Sequence, residues 1–233
     1  MTNYEPILGI ILLAITLLFS LAFYARWAEK EKDPRTIIRQ MTTDAMIIAV
    51  IMLMTFVPSL GYISVTPLIS FTLVHLPVLL GAAIGGWKKG LLFGFIFGVS
   101  SYINAFNSTG LNLLFAYPWT AIPPRMVFGL VAGIVFSLIG KLSKKKMKVL
   151  YLALASALLT ALHTALVFGN LMIYYPDTII GMFASTSPVA SGTAITFTIV
   201  ILLGMLGEMG LAMVIIPPLV TALRKATPKI FVH

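Results

Sequence analysis

Seven stretches of this 233-residue chain, at about 5–25, 41–58, 67–87, 90–105, 126–140, 149–171 and 192–218, are apolar and nearly free of charge. A helix needs ~20 such residues to cross ~30 Å of hydrocarbon, and each stretch approaches or exceeds that length. The stretches at 90–105 and 126–140 are the shortest, and span only if tilted neighbours and interfacial residues cover their ends. With 59% hydrophobic and 10% charged residues and a mean hydropathy of +1.02, the composition lies outside the range of soluble globular domains. The chain reads as an all-α integral membrane protein with seven transmembrane helices.

Fifteen of the sixteen Lys and Arg residues orient those helices. Arg26, Lys30, Lys32, Arg35 and Arg39 follow the first stretch. Lys88 and Lys89 separate the third from the fourth, Lys141, Lys144, Lys145, Lys146 and Lys148 follow the fifth, and Arg224, Lys225 and Lys229 follow the seventh. Threading seven helices puts all four clusters on one side. By the positive-inside rule that side is the cytoplasm, which places the amino terminus outside and the carboxyl terminus inside a cell membrane. The net charge of +9 then reflects orientation and contact with anionic lipid, not a nucleic-acid surface.

The first stretch carries Glu5 ahead of it and its positive charges after it, so it is expected to be a retained helix and not a cleaved signal. Residues 1–25 form a peripheral transmembrane helix in this reading. Residues 26–40, with Pro34 and mixed charges, form a cytoplasmic linker, and residues 41–225 form a six-helix body ending in a short tail at 226–233. Absence of cysteine excludes disulfides, thiolate metal sites and cysteine nucleophiles. No HExxH, GxSxG or P-loop pattern occurs, so no catalytic residue, metal ligand set or ATPase is expected in this chain.

Within the body, Gly90, Gly94 and Gly98, Gly81 with Gly85, and Gly129 with Gly133 recur at helix-packing spacing, and are expected to let backbones approach closely. Ala45 and Ala49 form an AxxxA pair near one end of the second stretch. Ser156, Thr160, His163, Asn170 and Tyr174 share one helical face, as do Ser100, Asn104, Asn107 and Ser108. Both stripes thicken towards the predicted outer side and converge on a pocket closed by the loops 59–66, 108–124 and 172–190. Aromatic residues crowd those loops, and Tyr117 and Trp119 are the two expected to line the pocket because they precede Arg125.

Arg125 is the sixteenth cation and stands alone. It is an interfacial or Asp177-paired residue, or else a fork of donors at the start of a helix after Pro123-Pro124 that holds a substrate carboxylate. Glu208 falls near mid-membrane, where it is neutral or hydrogen-bonded, with a binding role as the alternative. His163 points with the polar stripe towards a ligand. His75, just before Pro77, either binds ligand or satisfies a backbone carbonyl, and Asp44 is expected to cap its helix.

The AxxxA helix, the pair HLPVLLGA…GGWKKGLLFGFIFG with its basic turn, and the PPRMVFG start of a later helix resemble the substrate-binding S components of energy-coupling factor (ECF) vitamin transporters, over roughly residues 41–225. The likeness is greatest to the pantothenate type. It implies an importer subunit that captures a small anionic vitamin on the outer side, with Arg125, Trp119, Tyr117, Asn104, Asn107, His163, Asn170, Tyr174, Glu208 and His75 as candidate ligand contacts. It also implies that the face of Ala45 and Ala49 meets a membrane-embedded T component driven by two ATPases, which use the ATP. The first helix departs from the six-helix pattern of that family. An S component for another vitamin and a stand-alone transporter that moves a proton on Glu208 are the competing readings.

Overall fold

A computed structural model of the chain describes residues 34–57, 59–64, 70–142, 145–186 and 193–226. The expected peripheral helix at 1–25 lies outside the described residues. Six α-helices form the body: α1 Pro34–Phe56, α2 His75–Ala105, α3 Pro118–Gly140, α4 Lys145–Tyr174, α5 Pro176–Thr186 and α6 Thr193–Ala226. Among the described residues, five helical segments are long and apolar enough to cross a membrane: Pro34–Phe56, His75–Ala105 (in two arms), Pro118–Gly140, Met147–Tyr174 and Ile201–Lys225.

The third and fourth apolar stretches form the two arms of α2, which divide at Gly86, beside the basic turn expected at Lys88 and Lys89. Gly86 adopts φ 69° and ψ −162° inside α2, a conformation that only glycine takes without steric cost. The chain reverses there, so that a Cβ on Gly81 would meet the Phe93 ring and one on Gly90 would meet Ala82. The first arm, residues 75–85, is about 16 Å of helix, too short to span alone. Ahead of it, β1 Tyr62–Ser64, in the expected loop 59–66, pairs antiparallel with β2 Ser70–Thr72, in the stretch expected to be helical, with Tyr62 opposite Thr72. Strands of three residues are too short to print a two-residue period on an apolar sequence.

Sequence periodicity explains the rest. In α1 the buried residues Gln40, Asp44, Ile47, Ile51 and Thr55 recur at three or four, giving one stripe that faces the bundle. Residues 34–40, expected as linker, are continuous with this helix, because proline is accommodated at a helix start. In α6 the stripe is Gly204, Glu208, Ala212, Ile216 and Val220, all buried. The returning arm of α2 packs against α3 main chain to main chain: a Cβ on Gly90 would strike the Gly129 carbonyl, and one on Gly94 would strike that of Arg125. These are the packing glycines expected from the sequence.

Asp44 sits about three turns inside α1 and does not cap it. Its Oδ1 accepts a 2.7 Å ion-paired hydrogen bond from Lys89 Nζ, just past the Gly86 reversal, with the two residues 4% and 8% exposed. Nearby, Lys148 donates to the Gly140 carbonyl at 2.6 Å and ties the start of α4 to the end of α3. This end of the bundle gathers the hairpin tip and basic residues. The functional side chains gather towards the other.

Candidate functional site

The double proline of α3 determines how its first turns are held. Helix α3 starts at Pro118, with Tyr117 extended before it, so Arg125 lies about two turns inside the helix and not at its start. Pro118 occupies the first helical position, where a missing N–H costs nothing. Pro123 and Pro124 lack the N–H groups that would pair with the carbonyls of Trp119 and Thr120. The Asn170 amide of α4 donates to those two carbonyls, at 3.0 Å and 3.3 Å. Asn170 therefore repairs a helix, a structural duty in place of the ligand contact expected from its stripe.

Arg125 is 2% exposed. Its Nη1 donates to the Ala121 carbonyl at 2.7 Å, and its guanidinium carbon lies 4.8 Å and 4.4 Å from the ring centres of Phe97 and Phe115. Aromatic faces attract a cation, which holds the group between two rings, while its Nε has no hydrogen-bond partner. Asp177 is exposed in the first turn of α5, and Arg125 has no ion-pair partner among the described residues. The interfacial and Asp177-paired alternatives both fall. Tyr62 lies close by; burial pushes its phenol up from the ordinary value, with the positive charge of Arg125 opposing, so it stays neutral.

Arg125 lines a partly open cavity built from several elements. Phe71 and Thr72 of β2 form one wall, and Leu111, Asn112 and Phe115 of the 3-10 helix Gly110–Ala116 form another. His163, Thr164, Val167, Phe168 and Leu171 contribute from α4, and Ile201, Gly204, Met205 and Glu208 from α6. The lining is mostly apolar with a few placed polar groups, as ligand sites usually are.

Besides Arg125, two of those polar groups are expected from the sequence. Glu208 is 7% exposed; its Oε1 accepts the Thr72 N–H at 2.6 Å, and the Thr164 hydroxyl reaches Oε2 at 3.5 Å. His163 is 3% exposed, stacks on His75 and Phe97 with ring centres 5.4 Å and 5.6 Å apart, and has no hydrogen-bond partner on either ring nitrogen. His75 is fully buried behind it, with Nδ1 against the Thr72 carbonyl and Nε2 3.2 Å from the Thr160 hydroxyl. It satisfies a carbonyl and does not line the cavity. His75, His163 and Glu208 are the three metal-competent side chains that converge among the described residues, with ligand atoms within 4.8 Å of one another.

The other candidates lie elsewhere. The rings of Tyr117 and Trp119 lie 5.1 Å apart, tilted by 31°, and Tyr117 lies 5.4 Å from Tyr175, in an aromatic cluster that does not line the cavity. Tyr174 is 52% exposed, Asn107 is exposed, and the carbonyl of Asn104 accepts from Asn107 and Ser108 at the end of α2. Thr164 was within reach of sequence reasoning, since it lies four residues beyond Thr160 on the same stripe. The apolar lining residues look like ordinary membrane residues and carry no such mark.

Comparison with known proteins completes the picture. The family described as ECF transporter, substrate-specific component, matches residues 39–220. The pantothenate transporter PanT of Leuconostoc mesenteroides subsp. mesenteroides is 31% identical over 94 residues, which cover 38% of this chain and 46% of that protein. The pantothenic acid transporter PanT of Lactococcus lactis subsp. cremoris is 32% identical over 82 residues, covering 29% of this chain and 42% of that protein. The chain thus spans less than half the length of these curated relatives.

Proposed function

The chain belongs to the substrate-specific components of ECF transporters, and on that premise we propose that it is the high-affinity binding subunit for a small anionic vitamin, pantothenate. It is a multi-pass protein of the cell membrane. The observation that carries the reading is Arg125, a buried guanidinium with no ion-pair partner among the described residues, lining a cavity with mostly apolar walls. A buried charge is normally paired, and a carboxylate supplied by the ligand is the partner that completes this one. The names of the two PanT relatives support pantothenate as that acid.

In this reading the cavity end faces outward and the basic end, with Lys88, Lys89 and Lys141, faces the cytoplasm. Ala45 and Ala49 are exposed on α1, on the side away from the buried stripe, as a docking face for the T component would require. The chain itself uses no cofactor; ATP is hydrolysed by two partner ATPases. Purified protein is expected to bind pantothenate without ATP, and Arg125→Ala to weaken that binding at least about tenfold. Unchanged affinity in the variant would remove the carboxylate role. Bulky residues at Ala45 or Ala49 should spare binding and abolish uptake, and loss of both together would argue against a docking face. The buried Glu208 favours one other reading, a proton-coupled transporter acting alone, which uptake by this chain alone into liposomes would support.

A further inference from the structure

Arg125 and Glu208 are both buried and line the same cavity, yet they do not pair with each other. Opposite charges in a low-dielectric interior attract strongly, and the fold holds these two apart by separate tethers. Arg125 is fixed to the Ala121 carbonyl and sandwiched between two rings, while Glu208 is fixed to the Thr72 N–H. Each keeps capacity for a further partner: Arg125 Nε has none, and Glu208 Oε2 has only the long contact to Thr164.

Between them in chemistry stands His163, whose two ring nitrogens have no partner although the ring is buried. A neutral imidazole carries one donor and one acceptor, and leaving both unmet in a membrane interior is unfavourable. Ligand atoms of His163 and Glu208 lie within 4.8 Å of each other. One hydroxyl oxygen at ~2.8 Å from each can bridge that gap. A hydroxyl donates once and accepts as well, so it can accept from a histidine N–H while donating to an ionised carboxylate, or donate to the histidine nitrogen while accepting from a protonated acid. An ammonium suits only an ionised carboxylate. A divalent cation here would share its cavity with the Arg125 guanidinium, with a single carboxylate to offset both.

We infer that His163 and Glu208 form a hydroxyl-reading subsite separate from the Arg125 anion site, so that the ligand bridges the two as an acid bearing a hydroxyl away from its carboxylate. This rests on the proposed vitamin-binding role and makes it more specific, since pantothenate carries two hydroxyls remote from its carboxylate. The subsite would set selectivity among acids that Arg125 alone would accept equally.

The test compares binding of pantothenate with binding of its analogue in which both hydroxyls are replaced by hydrogen, using the purified full chain. Wild-type protein is expected to prefer pantothenate at least about a hundredfold, because a site built around a hydroxyl rejects ligands that leave its polar groups unmet. His163→Phe keeps the ring stacking and removes only the nitrogens; it should cut the preference about tenfold while the analogue's affinity moves by less than about threefold. Glu208→Gln should act in the same direction. Equal affinity of wild-type protein for both compounds, or an unchanged preference in both variants, would overturn the hydroxyl subsite and leave the pantothenate assignment standing. Binding of neither compound would overturn both. Loss of pantothenate binding in EDTA with recovery in zinc would overturn it in favour of an ion held by His75, His163 and Glu208.

Discussion

At one end of the bundle Lys89 and Asp44 are buried and joined at 2.7 Å; towards the other, Arg125 and Glu208 are buried and kept apart. In the first arrangement each charge has its counter-charge within the chain, and the pair clamps the Gly86 hairpin to α1. The second leaves hydrogen-bonding capacity facing a cavity. Pairing within the chain marks a group used for structure, and tethering without pairing marks a group kept for a ligand.

Variants separate the two ends. Lys89→Ala strands the Asp44 carboxylate and is expected to lower stability by about 3–5 kcal/mol, read as thermal unfolding in detergent. Replacing both by leucine should recover most of that loss, and no recovery would show that the pair does more than neutralise itself. Arg125→Met should behave in the opposite sense: stability without ligand unchanged or raised, and the thermal upshift produced by saturating pantothenate largely lost. A destabilisation as large as that of Lys89→Ala would erase the distinction between the two ends.

Asn170→Leu should cost about 1–3 kcal/mol, because it leaves the Trp119 and Thr120 carbonyls without the amide that replaces the two missing proline donors. The smallest effect is expected at Trp119. Its replacement by alanine should change ligand affinity by less than about twofold, since the aromatic cluster lies off the cavity. A tenfold loss there would move the binding site towards Tyr117 and Trp119.

What the sequence made legible follows from what leaves a periodic trace. The inward stripe of α4, the packing glycines of α2 and α3, and the isolation of Arg125 all appear as spacing or as an exception to a charge pattern. The reversal was legible as the basic turn at Lys88 and Lys89 between two apolar stretches, and only its exact place at Gly86 was not, because several glycines there look alike in sequence. The helix start at Pro118 was hidden because Pro123-Pro124 looked like a breaker, and only the Asn170 amide, about fifty residues away in sequence, shows why the helix survives them. Asp44 looked like a cap because nothing in its own segment points to Lys89. Tyr117, Trp119, Asn104, Asn107 and Tyr174 were placed near a ligand by sequence proximity to Arg125 or by helical face, but which way a loop or a helix end turns is set by tertiary packing that spacing does not record.

The contact of Gly94 with the Arg125 carbonyl carries one more consequence. Main chain resting on main chain leaves no side chain to yield between α2 and α3, so the height of the guanidinium above the cavity floor works as a fixed reference point. Ligands of different length must then be accommodated from the facing surfaces, where Met205, Phe168 and Phe71 present side chains that can change rotamer. A cavity with one unyielding wall and one adjustable wall can be retuned to a longer or shorter acid without relocating the point at which the acid is held.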